Sequence, residues 1–312
     1  MKYEVKILSD MALKLGVVRN TLEKVIRLSE ILKFINSDYM LRNKLALKGG
    51  TAINLLYGDI PRLSVDIDLD YAINDDRESM MRNRKSIKNA LETYFVQEGY
   101  VLNKNSRYSH ILDAFVISYI PSGGGTDNIK VEINYSMRSH LLTLENKQLD
   151  LIVIKDPFSI LTVSKIEIYA GKINALLSRN QIRDLFDAHQ MIEKHLLTNE
   201  ETIILKNVVL FYRYIQNDTL EHDPDFLQKY NKRMYVRDLL PVLRKGNAFS
   251  LEAAKETVSK FIEHITSYDE KQKMFIESVN LGNPNFGFLF EDEKMKVKAE
   301  QHPMSLWKRR RE

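Results

Sequence analysis

Leu45-Ala46-Leu47-Lys48-Gly49-Gly50-Thr51 and, a short way downstream, Ser64-Val65-Asp66-Ile67-Asp68-Leu69-Asp70 are the two stretches that decide how this chain reads. The first is a short apolar run entering a glycine turn. The second alternates acid with aliphatic over the length of a strand. Residues two apart on a strand point to the same face. Asp66 and Asp68 therefore stand side by side, with Val65, Ile67 and Leu69 on the opposite face.

Working outward, Leu22, Val25, Ile26, Ile31, Leu32 and Ile35 recur at helical spacing between Thr21 and Ile35, with Glu23, Lys24, Arg27 and Glu30 on the other side. Ala52–Tyr57 reads as a short helix and residues 76–98 as a long one rich in Arg, Lys and Glu. Ile111–Ile120 and Ile129–Tyr135 are β-branched and aromatic, and the Pro121-Ser122-Gly123-Gly124-Gly125 turn between them predicts a hairpin. A third short strand is expected at Leu151–Ile154, ending at Asp156-Pro157, and mostly helix from Ser159 to near Phe275. The end of the chain reads as a charged tail, with Lys308-Arg309-Arg310-Arg311 solvated. The expected organisation is an α+β domain over residues 1–156, then a helical one over 157–312.

Composition narrows the function classes. The chain has 312 residues, 44% hydrophobic and 28% charged, which suits a folded globular protein. It has no cysteine, which excludes a disulfide scaffold, a thiolate zinc site and a cysteine nucleophile. Its net charge of +4 is spread along the sequence and describes no generally basic domain. No apolar run is long enough to span a membrane, and the first residues lack the apolar core of a signal peptide, so a cytoplasmic location and no membrane partner are expected.

Paired carboxylates repel unless a cation lies between them, and Mg²⁺ is held by one or two carboxylates plus substrate phosphates. Asp66 and Asp68 suit that task, although a lone D-x-D is also what an ordinary polar strand face looks like. Upstream, Gly49-Gly50-Thr51 lets backbone approach a phosphate at a helix start; Lys48 reads as a solvated strand-end residue. Glu132, an acid in the middle of a β-branched strand, either completes a three-acid metal cluster with Asp66 and Asp68 or pairs with Lys130 or Arg138. Lys172 and Arg179 share one helix face, and Lys172 beside Gly171 is a candidate for binding triphosphate. Asp184 and Asp187 open the next helix, where capping and pairing with Arg183 is the alternative to a catalytic role.

Taken in order, these segments resemble the AbiEii family of nucleotidyltransferase toxins, the catalytic halves of AbiE-type toxin–antitoxin pairs. The matching pieces are Leu47-Lys48-Gly49-Gly50-Thr51-Ala52, Arg62–Leu69, Ala170–Leu176, and Arg179 through Asp187. The resemblance implies a polymerase-β-like nucleotidyltransferase fold with a mixed sheet, followed by a helical lobe. It implies catalytic roles for Asp66, Asp68, Lys172 and Asp184, and nucleotide contacts from Gly49, Gly50, Thr51, Ser64 and Arg62. Arg179 and Arg183 would be secondary contacts. Mg²⁺ or Mn²⁺ would lie at Asp66 and Asp68, with Glu132 as the third carboxylate. Thr51 departs from the serine usual in the wider superfamily but keeps the hydroxyl.

The activity implied is transfer of a nucleoside monophosphate from an NTP to RNA, in particular the 3′ end of tRNA, blocking translation. A cognate antitoxin encoded nearby is implied too, without a stable complex. Two other readings share part of the pattern: nucleotidylation of a protein or small-molecule hydroxyl, and a non-catalytic nucleotide- or RNA-binding module.

Overall fold

The structure, a computed structural model, describes residues 4–57, 61–150, 154, 156–217, 219–247 and 249–310. The chain falls into two compact units. The first comprises residues 1–138, 144–163 and 241–247, and the second residues 139–143, 164–240 and 248–312.

The first unit opens with two helices, α1 (Val5–Leu15) and α2 (Arg19–Ser37), the first of which the sequence reading did not anticipate. Strand β1 (Leu45–Lys48) runs into α3 (Gly49–Ala52), which continues as a π-helical turn over Ile53–Tyr57. Then come β2 (Asp66–Tyr71), α4 (Arg77–Gln97), the short β3 (Val101–Leu102) and β4 (Arg107–Tyr108), and the hairpin β5 (Leu112–Tyr119) and β6 (Asp127–Asn134). A second hairpin, β7 (Glu145–Leu149) and β8 (Phe158–Thr162), completes one sheet in the order β3-β5-β6-β2-β1-β8-β7, with β4 also paired to β5. The sheet is mixed: β2 is antiparallel to β1 and parallel to β6, and β8 is parallel to β1.

Two departures from the sequence reading lie here. The strand expected at Leu151–Ile154 falls mostly outside the described residues, and of it only Ile154 is described, outside any strand. Helix was expected from Ser159, yet Phe158–Thr162 is a strand. The Thr162 hydroxyl donates to the Leu47 carbonyl at 2.8 Å, and the Val163 N–H donates to the same oxygen at 3.0 Å.

Register gives the sheet two unlike faces. Ile67, Leu69 and Tyr71 share a face with Leu45 and Leu47 on one side and Val131, Ile133 and Phe115 on the other, all fully buried. Helix α4 belongs to this face: Phe95 meets the Phe115 ring edge-on at 5.8 Å, and Arg84 pairs with buried Asp113 at 2.5 Å. The opposite face carries Lys48, Asp66, Asp68, Asp70, Lys130 and Glu132.

The second unit is helical: α5 (Lys165–Ser178), α6 (Ile182–Glu193), α7 (Asn199–Gln216), the single turn α8 (Lys232–Met234), α9 (Leu251–Thr266), α10 (Glu270–Asn280), α11 (Glu293–Gln301) and α12 (Pro303–Arg309). Of the charged stretch expected as a solvated tail, Pro303–Arg309 is helical and Lys308 is tied down, whereas Arg309 and Arg310 are exposed. The Lys308 ammonium donates to the carbonyls of Tyr214 and Asn217, both at 2.7 Å, serving the exposed end of α7.

Candidate active site

In the first unit the site grows from the β1–α3 turn. Gly49 has φ of +69°, the left-handed region that costs L side chains energy. A Cβ there would sit 2.6 Å from Asp68 Oδ2. Glycine is thus required twice, for its backbone angle and because the Asp68 carboxylate lies directly against it. Gly50 is hemmed in similarly: its Cβ would lie 2.8 Å from Arg62 Nη2. The start of the helix, whose first N–H groups have no intrahelical partner, is flanked by a carboxylate on one side and a guanidinium on the other.

Arg62 is only 2% exposed, and its segment is fixed by an antiparallel bridge between Arg62 and Leu243 and by the Leu63 N–H donating to Val242 O at 2.8 Å. Thr51 is fully buried. Its hydroxyl contacts the Asp66 carbonyl and lies 2.8 Å from Ser64 Oγ. A carbonyl only accepts, so the Thr51 proton goes to Asp66 O and the Ser64 hydroxyl donates into Thr51 Oγ1. The threonine ties the entry of β2 to the glycine turn.

On β2 the acids are treated unequally. Asp70 is buried and paired with Lys48 at 2.5 Å, so Lys48 is a counter-ion and not a free strand end. Asp66 and Asp68 are half-buried. Among the described residues Asp66 enters no ion pair. Glu132 is the in-register neighbour of Asp68 on β6, and its carboxylate is held by Lys130 at 2.7 Å. Among the described residues no three His, Cys, Asp or Glu side chains converge as a finished metal site. The donor chemistry nonetheless fits Mg²⁺: the half-buried Asp66 and Asp68 carboxylates share one face of β2.

In the second unit, α5 and α6 join through a short turn at residues 179–181. Lys172 on α5 reaches Asp184 Oδ1 at 2.7 Å and Asp187 Oδ2 at 2.9 Å, both on one face of α6. All three side chains are buried. Arg179, largely exposed, donates from Nε to Asp184 Oδ2 at 2.8 Å. Burial opposes ionisation of Asp184, but the Lys172 charge and the Arg179 hydrogen bond outweigh it and hold the carboxyl below its ordinary range. Burial, then the charge of Asp184, raises the Tyr230 phenol, whose hydroxyl donates to Arg179 O at 3.4 Å. The acids of α6 thus serve Lys172 and Arg179, and α6 receives no side-chain cap from its N-cap residue, Gln181. Asp187 is the member that the sequence reading left outside the site; its three-residue spacing from Asp184 was the available signal.

The sequence profile of the nucleotidyl transferase AbiEii toxin family, of type IV toxin–antitoxin systems, matches residues 31–284. The chain belongs to that family. This AbiEii toxin shares the fold of MenT4, a nucleotidyltransferase toxin from Mycobacterium tuberculosis H37Rv, with a TM-score of 0.63 at 15% identity over 96% of this chain and 98% of that one. An Escherichia coli MS115-1 CdnC:HORMA-deltaN complex aligns over 97% of each chain at 10% identity, but its TM-score of 0.26 carries no structural weight. No curated protein matches the sequence. The fold shared with that nucleotidyltransferase toxin is α+β, with a mixed sheet and helices in the first unit and helices in the second. Among the described residues no helix is long and apolar enough to cross a membrane.

Proposed function

We propose that this AbiEii protein transfers a nucleoside monophosphate from an NTP to the 3′ hydroxyl of an RNA, the tRNA 3′ end being the acceptor that would arrest translation in the cytoplasm. The acceptor oxygen bonds to the α-phosphorus, the bond to the bridging oxygen of the β-phosphate breaks, and pyrophosphate leaves as the hydroxyl proton is released. The observation that carries this reading is the Gly49–Asp68 contact, which builds a phosphate-approach turn and a paired-carboxylate strand as one piece.

Asp66 and Asp68, with Glu132 beside them, are the residues that would hold Mg²⁺ or Mn²⁺, which when bound supplies charge neutralisation at the phosphates. The chain's own groups do the positioning. The N–H groups at Gly49 and Gly50 donate to phosphate oxygens, and Arg62 brings a fixed cation to the same turn. Ser64 and Thr51 hold β2 in place beside it. Lys172, its ammonium oriented by Asp184 and Asp187, would stabilise negative charge developing on the transferring phosphoryl group. A cognate antitoxin encoded nearby opposes the activity without forming a stable complex.

The test is labelling with each α-³²P NTP, Mg²⁺ and total tRNA. Wild-type protein is expected to label RNA with a preferred nucleotide, and Asp68→Ala and Lys172→Ala to lose the label by at least about 100-fold. Label appearing on protein and not on RNA would replace the acceptor. Full activity of Asp68→Ala would remove the paired-acid mechanism.

A further inference from the structure

Helix α12 is anchored at both of its ends. His302 Nδ1 accepts the Met304 N–H at 3.1 Å as its N-cap, and proline stands in its first turn. Lys308 bonds two carbonyls at the end of α7. Arg309 donates to Pro284 O at 3.3 Å and lies over the Phe286 ring at 5.3 Å. This anchoring leaves Leu306 and Trp307 exposed at 42% and 48%, next to exposed Arg309 and Arg310. Among the described residues neither arginine pairs with a carboxylate. A half-exposed indole on a rigid helix, beside uncompensated guanidinium groups, is the combination that stacks a base while neutralising its phosphates.

Its position matters as much as its chemistry. Lys308 holds the Asn217 carbonyl, and the Asn217 side-chain oxygen accepts the Ser178 hydroxyl at 3.2 Å. Ser178 ends α5 and adjoins Arg179, which grips Asp184, the partner of Lys172. A continuous run of bonded groups within the second unit therefore joins the basic end of α12 to the lysine cluster.

We propose, building on the RNA reading above, that the Trp307–Arg310 end of α12 is a docking surface for the unpaired strand of the RNA acceptor, with Trp307 stacking on a base and Arg310 contacting phosphate. Charge complementarity selects this occupant, since the patch is cationic and the partner a polyanion whose bases offer flat faces.

Trp307 is the sole tryptophan of the chain, so its emission reports on this surface alone. Titrating the full-length protein with a single-stranded RNA oligonucleotide bearing a free 3′ hydroxyl is expected to quench that emission, while inorganic polyphosphate leaves it unchanged. By anisotropy of the labelled RNA, Trp307→Ala is expected to weaken binding by roughly 5- to 100-fold. Arg310→Ala, a change at an exposed side chain, is expected to lower the salt dependence of the binding constant by about 0.7 in log–log slope. RNA that binds with Trp307 emission unchanged and with wild-type affinity in Trp307→Ala would overturn the proposal, as would equal quenching by polyphosphate. RNA labelling by the wild-type enzyme under those conditions would leave the RNA reading standing and discard only this surface. Failure to bind or label any RNA would instead discard both.

Discussion

At the scale of single residues, Gly49 and Asp184 are the positions where geometry makes the sharpest demands. Alanine at Gly49 would suffer twice: a positive φ costs about 1–2 kcal/mol, and the new methyl would displace the Asp68 carboxylate. Gly49→Ala is therefore expected to lose about 1–3 kcal/mol in chemical denaturation and to lose nucleotide transfer out of proportion to that. A variant with wild-type transfer would show that the Asp68 position is not critical. Asp184 makes a pH prediction. Its folded-state value lies below the ordinary 3.8, so its contribution is present above that pH and is lost as pH falls through the lowered value. Asp184→Asn should cost about 3 kcal/mol at neutral pH, because Lys172 then keeps one buried carboxylate in place of two. The gap between wild type and variant should narrow as pH drops below 3.8. A gap that is constant with pH would show that the loss is one of shape and not of charge.

At the scale of elements, the legible parts are those whose pattern is local. Helix α2 showed its apolar stripe, β2 its alternation, and β5–β6 their branched residues around a glycine turn. Strand β7, Glu145-Asn146-Lys147-Gln148-Leu149, hid because four of its five residues are polar or charged and only Leu149 is buried. Strand β8 hid because its apolar run flows into that of α5, and periodicity cannot separate a short buried strand from the helix that follows. The site divides in the same way. The spacing of Asp66 and Asp68 is local, and so is the glycine turn. That Glu132 stands in register with Asp68, or that Asp187 reaches Lys172, depends on how distant elements pair, which no local pattern encodes. Gly171 tests one element directly. It lies inside α5 with nothing within 4 Å of where its Cβ would be, so neither packing nor backbone angle requires glycine there. Gly171→Ala is expected to stabilise the protein by about 0.5–1 kcal/mol. Loss of transfer activity in that stabler variant would assign the open space to substrate, whereas unchanged activity would leave the glycine without a catalytic reason.

At the scale of the whole molecule, the two units are woven from one chain that passes between them after Arg138, Thr143, Val163, Leu240 and Asn247. Asp156 and Pro157 fall between β7 and β8, strands that pair with each other over five positions. A fragment of residues 1–156 therefore loses β8, leaving β7 with no partner and the inner strand β1 with a bare edge. A fragment of residues 1–163 keeps every strand but lacks 241–247. That strap bonds the Leu63 N–H, supplies the Arg244 N–H to Pro61 O at 3.4 Å, and ties back to Gly16 O through the Lys245 N–H at 2.6 Å. The shorter fragment is expected to show no cooperative thermal transition by circular dichroism. The longer one should unfold cooperatively but exchange its Leu63 amide quickly, because the segment that carries Arg62 and Ser64 has lost its far-sequence clamp. A cooperative transition in residues 1–156 would show that β8 is dispensable to the sheet, and a protected Leu63 amide in residues 1–163 would show that the strap is. Under the expected outcome, the glycine turn is local in sequence but the support of its cationic neighbour is not: Arg62 is held by residues some 180 positions further along the chain, and a truncation between residues 190 and 240 would remove that support while keeping Asp66, Asp68, Asp184 and Asp187.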